Sequence, residues 1–142
     1  METTIPKWIL AWTVIIGLIP LAFTVVGYVS PETIFGEEAT SSREIMLSGP
    51  IGLWLARDMA SVVITFYALY ARSAAMIIMA CLLRIFTDVG DVLNNMIAGT
   101  MNADLWIFAP IFVVVSSIAI VKLKQLGKVI FGIEHRLLKK VL

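Results

Sequence analysis

Histidine and cysteine are almost missing from this sequence, with one of each, and that scarcity removes whole classes of chemistry. The lone His135 lies in a basic C-terminal stretch, so neither a histidine metal cluster nor a Ser-His-Asp triad can be assembled. Cys81 has no partner for an internal disulfide, and its apolar neighbours make it a packed, unreactive thiol. No glycine-rich phosphate loop of either common spacing occurs. Charge is scarce as well: 15% of the 142 residues are charged and the formal net charge is +1, which gives no basis for binding nucleic acid. The seven methionines, Met76, Met79 and Met96 among them, lack soft-metal companions and are read as packing. Asp88-Val-Gly-Asp91 offers two carboxylates, but the neighbouring arginines make it a poor magnesium site, and Asp104 is read as a helix cap. Neither a metal nor a cofactor is expected.

What is abundant is apolar surface, 60% of the residues, more than a soluble domain of this size can hide. The expected fold is an all-α membrane protein, a four-transmembrane-helix bundle with a C-terminal basic amphipathic helix. The spans are read at about 8–28, 48–71, 73–98 and 105–121, each long enough for a hydrocarbon layer of roughly 30 Å. The first, charge-free from Trp8 to Val29, exceeds a signal-peptide core and is read as a retained span. Residues 1–121 then form the transmembrane domain and 122–142 a basic cytosolic tail.

A polar loop, Ser30 to Leu47, separates the first two spans; almost nothing separates the second and third around Arg72 and Ser73, which forces an antiparallel hairpin. Basic residues in the flanks set the orientation. Lys7, Arg72, Lys122, Lys124, Lys128, Arg136, Lys139 and Lys140 fall on one side and Arg43 alone on the other, placing both termini in the cytosol. The localisation that follows is a multi-pass integral membrane protein, of the endoplasmic reticulum if eukaryotic and of the inner membrane if bacterial. In the tail, Leu123, Leu126, Ile130, Ile133, Leu137 and Val141 form one apolar helical stripe. It either lies on an anionic leaflet or packs on the bundle or on a second subunit.

Five ionisable residues stand inside the second and third spans: Arg57, Asp58, Arg84, Asp88 and Asp91. Each costs roughly 2.5–3.5 kcal/mol at mid-membrane, so they must face inward and meet one another. Arg84, Asp88, Asp91 and Asn95 share one helical stripe. Arg57 lies fourteen residues before Ala71 and Asp88 fourteen after Ala74, the same level, roughly 21 Å from the hairpin turn. Asp58 lies beside that level and Arg84 about one turn away, near Ser61. Two cations among three carboxylates leave one acid over, read as Asp91, nearest the entrance, while the structural alternative makes Arg57–Asp88 and Arg84–Asp58 interhelical pins. A leftover carboxyl in a low-dielectric site can act as general acid beside an ionised neighbour acting as base, so Asp91, Asp88, Arg57, Asp58 and Arg84 are the candidate catalytic residues. Asn95, Asn94 and Thr87 are candidate substrate contacts, with a helix-end role as the alternative for the asparagines.

The segments Gly52-Leu-Trp-Leu-Ala-Arg57-Asp58 and Arg84-Ile-Phe-Thr-Asp88-Val-Gly-Asp91 resemble the uncharacterised small four-span membrane families of fungi and bacteria that pair Arg-Asp in helix 2 with Asp-x-Gly-Asp in helix 3. The resemblance implies a four-helix membrane fold and, through fungal biosynthetic clusters, an enzyme for a lipophilic intermediate. The expected function is membrane-embedded acid-base catalysis on a lipophilic small molecule: epoxide hydrolysis, cyclisation or isomerisation. The soluble limonene epoxide hydrolases use an Asp-Arg-Asp arrangement of this kind, a parallel of chemistry without shared sequence. Two rivals stand beside it: a non-enzymatic scaffold whose ion pairs fix helix register, and a proton-coupled transporter, which would require a homo-oligomer. Enzyme and scaffold separate on whether a pocket opens beside Asp88 and Asp91.

Overall fold

The computed structural model describes residues 5–35, 49–99 and 103–141, with side chains left out of the description at Phe35, Pro50, 103–106 and 128–141. The loop core at 36–48, the turn at 100–102, the cap assigned to Asp104 and the face presented by the tail lie outside what it describes. Every element among the described residues is a helix: α1 (Lys7–Val29), the single turn α2 (Glu32–Phe35), α3 (Pro50–Ala71), α4 (Ala74–Ala98) and α5 (Ala103–Val141). Among the described residues, three stretches, Lys7–Val29, Ile51–Ala71 and Ile107–Gly127, are long and apolar enough to cross a membrane. Three apolar helices of that length mark a membrane protein.

The boundaries follow from local chemistry. Pro50 opens α3, where its missing N–H removes no helical bond. Arg72 ends α3 in the left-handed region at φ 46°, and Ser73 at once caps α4 by accepting from the Met76 amide at 3.4 Å. That two-residue connection makes α3 and α4 an antiparallel hairpin. Gly99, at φ 69°, closes α4 with its amide donating to the carbonyls of Asn95 and Met96.

No break separates the last apolar helix from the basic stretch that follows it. Between Val121 and Leu126 there is neither proline nor a turn pair, so α5 continues through the boundary drawn at residue 122 as one helix to Val141. The described core contacts of α5 reach Leu123.

Packing is strongest between α1 and α3 and between α4 and α5; α3 packs on α4, and α1 touches α4 and α5 only lightly. Ile5 and Ile9 share a core cluster with Ala68, Ala74 and Ile77. The start of α1 therefore lies at the hairpin end, and α1 runs antiparallel to α3. A Cβ on Gly17 would sit 3.1 Å from Cγ2 of Thr65 and 3.4 Å from the Phe66 ring, so the absence of a side chain there sets how closely α1 approaches α3.

Two substitutions test these contacts by thermal unfolding in detergent. Gly17→Leu forces α1 from α3 and should cost about 1–3 kcal/mol. Arg72→Gly removes the left-handed penalty and should raise the melting temperature, by about 1 kcal/mol of stability.

Candidate functional site

α3 and α4 bring Arg57, Asp58, Arg84, Asp88 and Asp91 together, in pairings that equal depth did not anticipate. Arg57 reaches Asp91 with both terminal nitrogens, Nη1 to Oδ1 at 3.1 Å and Nη2 to Oδ2 at 3.1 Å. The expectation that Asp91 is the odd acid is therefore corrected. The reason is side-chain direction. Helical side chains lean toward their own N-terminus, so on antiparallel helices Arg57 leans away from the hairpin while Asp91 leans back toward it. The three-residue offset between Asp88 and Asp91 closes, and a residue one turn beyond the level partner becomes the one in reach.

Arg84 does not cross to Asp58. It folds along its own helix onto Asp88, Nε to Oδ2 at 3.0 Å and Nη2 to Oδ1 at 2.6 Å, an i,i+4 pair held side-on. Its guanidinium also lies over the Phe112 ring, 5.0 Å from the centroid. Phe112 in turn packs against Trp12, centroids 5.4 Å apart, and the Trp12 indole N–H donates to the Ser116 hydroxyl at 3.1 Å. This aromatic seat ties α4 to α5 and α1. The sequence reading missed it: Phe112 carries no signal distinguishing it from other apolar residues of its span.

Asp58 is left with the loosest pairing, its Oδ1 3.7 Å from Nη2 of Arg57. Asp58 and Asp88 are both buried, whereas the side chains of Arg57 and Asp91 keep 37% and 27% of their exposure, so the site has an open lip and a closed interior. Two carboxyls, Asp58 and Asp91, thus flank one guanidinium.

The candidate substrate contacts are dispersed. The Thr87 hydroxyl donates to the Arg84 carbonyl at 2.8 Å, the Asn95 amide donates to the Asp91 carbonyl at 2.8 Å, and Asn94 is exposed. A shallow cavity of about 300 Å³ opens on the outward face of α5, lined by Ser117, Ile118, Val121, Lys122 and Gln125, none of which belongs to the charge cluster. Among the described residues no group of three or more His, Cys, Asp or Glu is placed to hold a metal ion.

Asp91→Asn should separate the two ion pairs in energy. It leaves the Arg57 guanidinium without its double partner, and because that pair is partly exposed the loss should be about 1–3 kcal/mol by detergent melting, below the 3–5 of a fully buried pair. Asp88→Asn, at the closed end, should cost more.

Compared with family models, with curated proteins and with solved structures, this chain matches none.

Proposed function

We propose that this protein is a four-span membrane enzyme that performs cofactor-independent acid-base chemistry on a lipophilic small molecule, opening or isomerising an oxygen ring. The observation that carries the reading is the Asp58–Arg57–Asp91 arrangement, two carboxyls on either side of one guanidinium at a partly open lip. Asp58, buried and loosely paired, takes the role of proton donor to the substrate oxygen. Asp91, held by both nitrogens of Arg57, accepts a proton from water or from the substrate carbon. Arg57 keeps the two carboxyls apart in role by holding one far more tightly than the other. Arg84 and Asp88 form the supporting pair, seated on Phe112. The substrate is lipophilic because it reaches this lip through apolar helix faces.

The fourth span is α4. It carries Arg84, Asp88 and Asp91, and it is packed between two apolar helices, α3 and α5. Its 25 residues rise roughly 37 Å, enough to cross at the same depth as its neighbours. Both termini then share one side, the cytosolic one by the distribution of basic residues.

A second reading has its own support: Arg57 joins α3 to α4 by a two-bond contact, as a register pin would, and the described cavity opens on α5 rather than beside Asp88 and Asp91. Turnover separates the two. Purified protein in lipid nanodiscs, given a panel of apolar epoxides with diol and isomer formation followed by gas chromatography, should show product. Asp58→Asn and Asp91→Asn should each lower turnover by about 10²–10⁴ while the protein still folds. No turnover by the parent across the panel, with both variants merely melting lower, would leave the pin. For topology, single cysteines at Lys7 and Lys124 in a Cys81→Ala background should react with an impermeant maleimide from the same side of sealed vesicles; labelling from opposite sides overturns the four-span arrangement.

A further inference from the structure

Five hydroxyls of these helices follow one habit, and Thr24 departs from it. Thr13 donates to the Ile9 carbonyl at 2.7 Å, Ser61 to Asp58 at 2.8 Å, Thr65 to Ser61 at 2.7 Å, Thr87 to Arg84 at 2.8 Å and Ser117 to Val113 at 2.7 Å. Each bonds back along its own helix, the usual way to satisfy such a group in an apolar setting. Thr24 is 0% exposed, yet its hydroxyl has no hydrogen-bond partner among the described residues. Among the described residues, the Nε–H of Arg57 is the other buried side-chain polar atom in that condition. Native structures rarely leave such groups unmet, and each that is unmet calls for a ligand or a water.

Helix register brings the two together. Gly17 lies against Thr65, and α1 runs antiparallel to α3. Seven residues are close to two helical turns, so moving seven forward on α1 and seven back on α3 keeps both faces in contact. The step leads from Gly17 to Thr24 and from Thr65 to Asp58. Thr24 belongs to the buried stripe of α1 that contains Gly17 and Pro20, and Asp58 to the buried stripe of α3 that contains Ser61 and Thr65. Thr24 therefore faces the level of Asp58 and Arg57 from the opposing helix.

We propose that Thr24, the Nε–H of Arg57 and the carboxyl of Asp58 form a binding site for one uncharged, hydrogen-bond-accepting oxygen, the ring or carbonyl oxygen of the substrate; this rests on the enzyme reading above. All three groups can donate to a single acceptor. Negative charge that develops on that oxygen as a ring bond breaks is met by donors already in place in a dry site. α1 thereby becomes part of the site, and the substrate class narrows to apolar molecules bearing one cyclic ether or carbonyl.

The test is melting of the parent, Thr24→Val and Thr24→Ser in detergent, alone and with cyclohexene oxide or cyclohexanone, methylcyclohexane serving as the oxygen-free control. The parent should melt several degrees higher with either oxygenated probe and unchanged with the hydrocarbon; Thr24→Val should lose that rise and Thr24→Ser keep it. Should Thr24→Val melt below the parent while neither responds to a probe, the oxygen bound is water's, and the assignment to substrate is overturned. A Thr24→Val protein that melts above the parent in every condition shows an orphaned hydroxyl and overturns the site altogether. The enzyme reading fails separately: a probe-induced rise without turnover of cyclohexene oxide keeps the site and removes the enzyme, whereas turnover unchanged in Thr24→Val does the reverse.

Discussion

Charge inside an apolar bundle has to be paired, and the arrangement of α3 and α4 depends on how that is done. Leaving a guanidinium unpaired in such surroundings costs several kcal/mol, more than most single packing contacts provide. The hairpin at Arg72 and Ser73 fixes the relative depth of the two helices, and Arg57 and Asp91 then fix their facing sides. With two cations and three acids, the fifth charge is the residue that the pairing leaves over. Asp58 occupies that place because Arg84 finds a nearer partner one turn along its own helix.

The second arginine is held differently from the first. Arg57 ends at a partly open lip; Arg84 is clasped between Asp88 and the Phe112 ring, and Phe112 is braced by Trp12 and Ser116. That chain of contacts runs from α4 through α5 to α1, and α1 otherwise touches α4 and α5 only lightly. An aromatic face gives a desolvated guanidinium favourable electrostatics that an aliphatic neighbour would not. The bundle is thus closed on one side by glycine packing between α1 and α3, and on the other by a cation seated on a ring.

Much of the site was legible before any coordinates. Charges at apolar depth stand out, and their helical spacing places them on one stripe. Their partners were not legible. Counting residues from the hairpin gives the level of each Cα to within a turn, but an arginine side chain spans more than a turn, and its direction along the helix decides which of two acids it meets. The same count could not reveal that Thr24 lacks the backbone bond its neighbours make, because every threonine in an apolar helix looks alike in sequence.

Composition and periodicity by themselves determined an all-helical membrane protein, the tight hairpin and the identity of the charged residues within it. These follow from local properties: hydropathy over a window, side-chain period and turn chemistry. Tertiary structure alone decided that Asp91 and not Asp88 meets Arg57, that Arg84 rests on Phe112, that the buried Thr24 hydroxyl is left without a partner among the described residues, and that α5 passes through residue 122 without a break. The first two are contacts between helices, set by register and side-chain direction across an interface; the last is the persistence of a helix where nothing in the local sequence stops it.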